Sequence, residues 1–327
     1  LQTTPDQNPA AALCGLLPVN KPLGLVSKDV SRKLVRKFGK LHIGHVGTLD
    51  PAADGVLPVL LGKATRLQDH LLDLPKSYDL EITFGYETDT LDSEGEVVRE
   101  ASWEHVTEAA LANVIPSFLG PIEQIPPLYS AVKLNGKPLY KYARTGKEDA
   151  VRPEDLKRRV TIHQLTLQEF NNKTAKLSVT CSKGTYVRTL VKDLATALGT
   201  CGTLTRLTRT VAAGVALPEA YDLERIIAGE DQDLAAYVIP LEKIKFGLPR
   251  WKTPDNRFES RLLNGLETVI TPDMYVRGLH DETGTGMPGP LSSPVLLLNE
   301  NDLVFGIGSV RTDAMNRITV NMKRGLK

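Results

Sequence analysis

Asp50 is where the sequence concentrates its chemistry. It stands in Gly44-His45-Val46-Gly47-Thr48-Leu49-Asp50-Pro51, with Gly55 shortly after. Pro51 disfavours helical backbone at Asp50 and presents it in extended form. The flanking glycines permit tight turns or close approach of a ligand. A carboxylate presented this way can serve as nucleophile or base, and it can equally belong to an ordinary Asp-Pro turn. Three further segments add weight. Tyr78 opens a strand just after Lys76-Ser77. Ser182-Lys-Gly-Thr-Tyr-Val-Arg188 puts an arginine in the first turn of a helix that is otherwise buried on one side. Leu204-Thr-Arg-Leu207-Thr-Arg209-Thr alternates apolar and basic residues. A buried guanidinium needs a carboxylate or phosphate partner, and Asp50 is a candidate partner for Arg188.

Competing chemistries fail on spacing. Gly55 to Gly62-Lys63-Ala64-Thr65 separates its glycines too widely for a phosphate-binding loop, and Ala64 replaces the magnesium-holding hydroxyl. The acidic stretch from Asp89 has Gly95 one place late for a calcium loop and Leu91 at a ligand position, so it reads as a solvated acidic turn. Cys14, Cys181 and Cys201 form no CxxC, and six histidines show no zinc spacing. These are reduced thiols of a cytosolic protein, Cys181 in the core. No metal or cofactor is expected.

The elements around these residues read as α+β. A basic amphipathic helix carries Val30, Leu34, Val35 and Phe38 at helical spacing, with Ser27 as N-cap and Gly39 as stop. An apolar run follows at Val56–Leu61. Tyr78, Leu80, Ile82 and Phe84 share one face of a strand, and another strand is expected at Glu96–Arg99. A helix over Thr107–Ile115 ends at Pro116. A strand at Lys176–Cys181 turns into a helix with Val187, Leu190, Val191, Leu194 and Leu198 on one stripe. Beyond about Arg250, short runs at Val295–Leu298, Leu303–Gly308 and Arg317–Met322 suggest a small β domain, preceded by a mobile Gly284–Pro294 loop. No run of 18 apolar residues exists, and the polar start (1–14) reads as a disordered leader rather than a secretion signal.

Taken together, Asn20-Lys21-Pro22-x-Gly24, Gly44-His45-x-Gly47-Thr48-Leu49-Asp50-Pro51-x-Ala53-x-Gly55-Val56-Leu57-Pro58-Val59, Lys76-x-Tyr78, Thr88-Asp-Thr-x-Asp-x-x-Gly95, Pro126-Pro-x-Tyr-Ser-Ala-x-Lys133 and Cys181-Ser-Lys-Gly-Thr-Tyr-Val-Arg188-Thr closely resemble the TruB family of pseudouridine synthases. They run in the family's order from about Gly15 to Thr210. The resemblance implies a pseudouridine synthase fold: a mixed, mainly antiparallel central sheet flanked by helices over 15–250, plus a small β-rich PUA-like RNA-binding domain over 251–327. It implies isomerisation of uridine 55 in the T-loop of tRNA, by base flipping, glycosidic cleavage and C–C rejoining, in a cytoplasmic monomer that needs neither guide RNA nor membrane. Asp50 would be catalytic and Tyr78 would stack on the base. Arg188 would pair with Asp50, Leu207 would wall the pocket, and His45 would meet the RNA where the base leaves its stack. Tyr186 and Lys21 would shape the pocket. The segment at about 126–159 would grip the T-arm. Val26, Val46 and Asp54 depart from the usual pattern, and Asp54 would bring a second carboxylate towards the RNA. A guide-RNA-dependent synthase and an RNA-folding chaperone are the alternatives.

The charge balance fits an RNA partner only when divided along the chain. Forty Lys+Arg against 39 Asp+Glu give a net +1. Yet Lys21–Arg66 carries nine basic residues against three acidic, Lys133–Arg159 nine against four, and Lys183–Arg209 five against one. The cationic stretches coincide with the motifs, and the remainder is acidic.

Overall fold

Tyr78, Leu80, Ile82 and Phe84 all point inward from the Lys76–Phe84 strand, as its alternation requires. The computed structural model describes residues 13–39, 41–143, 145, 152–229, 234–280, 294–312 and 317–326. All but the end of the expected leader, part of the 126–159 segment and the Gly284–Pro294 loop up to 293 lie outside the described residues.

The Lys76–Phe84 strand runs antiparallel to both neighbours, Gly202–Ala212 and Thr174–Cys181. The main sheet is ordered Tyr221–Asp222, Gly15–Lys21, Ala53–Leu61, Gly202–Ala212, Lys76–Phe84, Thr174–Cys181, Arg158–Asn171, Gly120–Gln124. Two neighbouring pairs in this order are parallel, the first pair and Ala53–Leu61 with Gly202–Ala212. The others are antiparallel. The sheet is therefore mixed and mainly antiparallel.

Both long helices pack on one face of it. Val30, Leu34 and Phe38 of Ser27–Phe38, and Val187, Leu190, Val191 and Leu194 of Val187–Ala197, join Leu17, Val19, Leu57 and Tyr78 in one core. The opposite face, through Leu16, Val56 and Leu60, meets a second sheet at Leu296, Leu298, Val304 and Ile307. That sheet runs Thr268–Ile270, Ile318–Gly325, Val304–Thr312, Pro294–Leu298, Arg250–Lys252, Leu279–His280. Its other face buries Trp251, Val295, Leu297 and Phe305. The C-terminal β-rich unit thus shares a core with the body. Arg66 Nη1 also donates to Gly325 O at 2.8 Å.

Several local expectations change. Val26, not Ser27, is the N-cap; Ser27 is the first helical residue and its hydroxyl serves the Asp50 loop instead. Pro116 sits inside a 3-10 turn at Ile115–Phe118 that continues the Glu108–Val114 helix. The 14-residue strand Arg158–Asn171 falls partly in the segment expected as an insertion. Register shifts beside Ile162 and Leu167 break its alternation, which hid it. Among the other described residues of that segment are a two-strand turn at Lys133–Pro138, a short helix at Leu139–Ala143 and a small core of Leu139 and Leu156. The three cysteines are unpaired, with Cys181 and Cys201 buried.

Candidate active site

Asp50 reaches its place because three contacts fix the loop that carries it. The Ser27 hydroxyl donates to Leu49 O at 3.1 Å and accepts from Leu49 N at 2.8 Å. The Gly24 N–H donates to Pro51 O at 2.8 Å, and the Ala53 N–H donates back to Asp50 O at 3.1 Å. Lys21, fully buried, donates its ammonium to Pro22 O at 2.9 Å and Leu25 O at 2.7 Å, holding the turn that contains Gly24. Burial pushes the Lys21 pKa down, and the charge of Asp54 is the largest one opposing this. Asp54 has one carboxylate oxygen buried and without a hydrogen bond. Its charge therefore serves the interior as well as any RNA side.

The Asp50 side chain is half exposed, and its Oδ2 lies 2.8 Å from Nη2 of Arg188, whose side chain is buried. Arg188 is held on every side. Nη1 donates to Thr90 O at 2.9 Å, Nη2 to Tyr129 O at 3.0 Å, and Nη1 lies 3.5 Å from Asp92 Oδ2. Asp92 is itself fixed, its Oδ1 accepting from Thr90 Oγ1 at 2.6 Å and Glu94 N at 3.1 Å. The acidic turn expected to be solvated is thus buried at Asp92 and turned towards the arginine. The sequence signal was there, in Thr88-Asp-Thr-x-Asp, but a carboxylate's burial is invisible without its partner. One arginine shared between two carboxylates fixes Asp50 in place while leaving its other oxygen available.

A cavity of about 210 Å³ opens beside Asp50. Tyr78, Leu207, Arg209, Lys76, Leu72 and Tyr186 line it together with Asp50 and Arg188. Tyr78 stands directly across the strand pair from Arg209. Burial raises the Tyr78 phenol pKa, and the charge and hydrogen bond of Arg209 oppose that. Arg209 is wholly buried. It donates to Val56 O at 2.7 Å, Thr48 O at 3.2 Å and, at the limit of hydrogen bonding, Gly47 O at 3.5 Å. Gly55, at φ +101°, lets the backbones close here, since a Cβ would sit 2.3 Å from Arg209 O. Gly47, at φ +73°, makes the turn beside the guanidinium; Gly44 needs no such freedom. Lys76 donates to Leu72 O at 2.8 Å and Leu74 O at 3.1 Å, and burial, helped by Arg209, lowers its pKa to about 8.

Of the residues singled out in the sequence, Asp50, Tyr78, Arg188, Leu207 and Tyr186 meet at this cavity. His45 and Lys21 do not line it. His45 lines a separate groove with Lys28, Arg32, Arg36, Val35 and Gln68, and burial lowers its imidazole pKa. Arg209 and Lys76 were missed as site residues. Arg209 shares a face with Leu207 two residues earlier, which was a legible hint.

Comparison with known proteins decides the family. The N-terminal domain of the TruB family of pseudouridylate synthases matches residues 35–187. "tRNA pseudouridine synthase B" of Symbiobacterium thermophilum is 42% identical over 268 residues, 81% of this chain and 86% of that protein. The chain belongs to the TruB family. It is a pseudouridine synthase, an isomerase. The protein of the same name from Streptococcus gordonii is 44% identical over 274 residues, covering 82% of this synthase and 92% of its relative. A chain in the crystal structure of a Cbf5–Nop10–Gar1 complex superposes with a TM-score of 0.71 at 22% identity, over 100% of this chain and 91% of its own. At that identity the likeness concerns the fold of the synthase. Among the described residues, no helix is long and apolar enough to cross a membrane.

Proposed function

We propose that this synthase isomerises uridine 55 in the T-loop of tRNA, acting without a guide RNA. The carrying observation is the half-exposed Asp50, held by buried Arg188 at a cavity lined by Tyr78 and Leu207. The names of the relatives supply tRNA as the substrate class. The basic stretches Lys21–Arg66 and Lys183–Arg209 supply the charge that phosphate contacts require.

In this reading the target uridine leaves its stack and enters the cavity. The Tyr78 ring offers a platform worth roughly 1–3 kcal/mol to a base. Leu207 keeps water from the detached uracil. Asp50 either attacks the sugar carbon or takes a sugar proton, and attack on the uracil ring is a third route. In each, Arg188 keeps the reacting oxygen aimed while charge moves. Arg209 and Lys76 add a positive field on the Tyr78 side, favouring electron density on a uracil cut from its sugar. His45 and its groove contact RNA outside the cavity, and the segment at 126–159 grips the T-arm. The chain divides at about 250 into a catalytic domain and a PUA-like RNA-binding domain, and the protein works as a cytoplasmic monomer.

The test is tritium release from [5-³H]uridine-labelled tRNA and from a bare T-arm hairpin. Turnover on both with pseudouridine mapped at position 55 is expected. No turnover without added guide RNA, or product at another position alone, overturns the proposal.

A further inference from the structure

Leu72 lines the cavity, and the Leu72–Leu74 stretch that carries it is fastened by two lysines of different character. From inside, Lys76 donates to the carbonyls of Leu72 and Leu74. From across the opening, Lys183 Nζ reaches Asp73 Oδ1 at 2.5 Å. The first anchor is buried and fixed. The second is exposed at both ends, 64% for Lys183 and 59% for Asp73. The loop carrying Lys183 is pinned on either side of it. The Thr161 N–H donates to Ser182 Oγ at 2.8 Å, and the Tyr186 N–H donates to Gln124 Oε1 at 3.0 Å. Only the lysine side chain needs to move for the Asp73 contact to open. Lys183 lines the same cavity as Asp50 and Arg188, and its side chain is exposed, so its ammonium is within reach of a phosphate beside a uridine held there.

We propose that Lys183 is a phosphate-binding residue at the cavity opening and that Asp73 holds its place in the free enzyme, forming a latch that RNA exchanges. An exposed lysine–carboxylate pair is worth about 0–1 kcal/mol, so a backbone phosphate can displace Asp73 at small cost. The exchange keeps the lysine paired throughout. It also releases the outer fastening of the Leu72 wall as the base enters, while Lys76 retains the inner one. This rests on the RNA-binding reading above.

The test measures tRNA affinity against salt in an Asp50→Asn background, with Asp73→Asn, Lys183→Ala and the combination of the two. Both positions are exposed, and thermal melts of each variant check that the fold persists. Asp73→Asn is expected to tighten binding about 3-fold, because the phosphate no longer competes with a carboxylate. Lys183→Ala is expected to weaken it about 5-fold and flatten the salt slope by about 0.7–0.9, the signature of one lost phosphate contact. In the Lys183→Ala background the gain from Asp73→Asn disappears. An unchanged slope in Lys183→Ala, or a gain from Asp73→Asn that persists without Lys183, overturns the latch. If the unmodified chain neither binds nor modifies tRNA, the RNA reading itself fails instead.

Discussion

Two buried arginines flank the same cavity and do different work. Arg188 faces carboxylates, Asp50 at 2.8 Å and Asp92 at 3.5 Å. Arg209, more deeply buried, donates to main-chain carbonyls of Val56, Thr48 and Gly47 and stands across the strand pair from Tyr78. Among the described residues it makes no ion pair. Arg188 is therefore tied to the charge proposed above to take part in the chemistry. Arg209 ties the loop bearing Asp50 to the sheet and leaves a positive field at the Tyr78 end. A guanidinium's effect follows from what it faces, and identical side chains, one on the Val187–Ala197 helix and one on the Gly202–Ala212 strand, divide reactivity from architecture.

The sharpest way to break this comparison starts at the carboxylate both arginines serve. Asp50→Asn is expected to lower turnover by more than about 1,000-fold while tRNA binding persists. Tritium release and filter binding measure the two. Appreciable turnover in this variant would remove Asp50 from the reaction and the chemical half of the contrast with it.

Arg188→Lys tests the chemical arginine directly. Lysine keeps the charge but cannot hold Asp50, Asp92 and two carbonyls with one planar fork. A loss of about 100-fold in kcat is expected, with KM for tRNA within about 3-fold, because geometry at the reacting oxygen costs more than binding. Arg209→Lys should show the opposite pattern. It leaves carbonyls of a buried loop under-satisfied, costing about 1–3 kcal/mol and several degrees in Tm. Its kcat, measured well below that Tm, should fall by less than about 10-fold. Thermal melts beside kinetics at saturating tRNA separate the two. Matching losses in both variants would erase the division of roles.

Much of this was legible before any coordinates, and the reason differs by residue. Asp50 announced itself because proline and glycine constrain backbone locally. Tyr78 announced its face through strand alternation, the helix stripe at Val187–Leu194 did the same, and Leu207 was named only through the family resemblance. Arg188 stood out as a charge in an apolar helix. Asp92 was read as solvent-facing because its burial depends on Arg188, 96 positions away. Ser27 looked like a cap because a hydroxyl before a helix usually is one, while here its partner is Leu49. Arg209 and Lys76 gained meaning only when strand pairing set Arg209 across from Tyr78. Local constraint can be read along a chain; cross-strand neighbours and buried partners cannot.

The smallest effect sharpens the Tyr78 side. Burial and Arg209 lower the Lys76 pKa to about 8 from the ordinary 10.5. Between these values the folded protein releases a proton that the unfolded chain still holds. The unfolded state then binds more protons, so this group's contribution to stability rises with pH across that window. Below about pH 8 both states are protonated and the contribution is flat. Lys76→Met keeps the apolar stem and lacks the titration. The difference in stability between the unmodified chain and Lys76→Met, followed by denaturant unfolding from pH 7 to 10.5, should therefore shift steadily in favour of the unmodified chain above pH 8. A difference independent of pH would mean that Lys76 keeps its ordinary pKa, shifted neither by burial nor by Arg209. Lys76 would then carry its full charge at neutral pH and add to the field of Arg209 at the Tyr78 end undiminished.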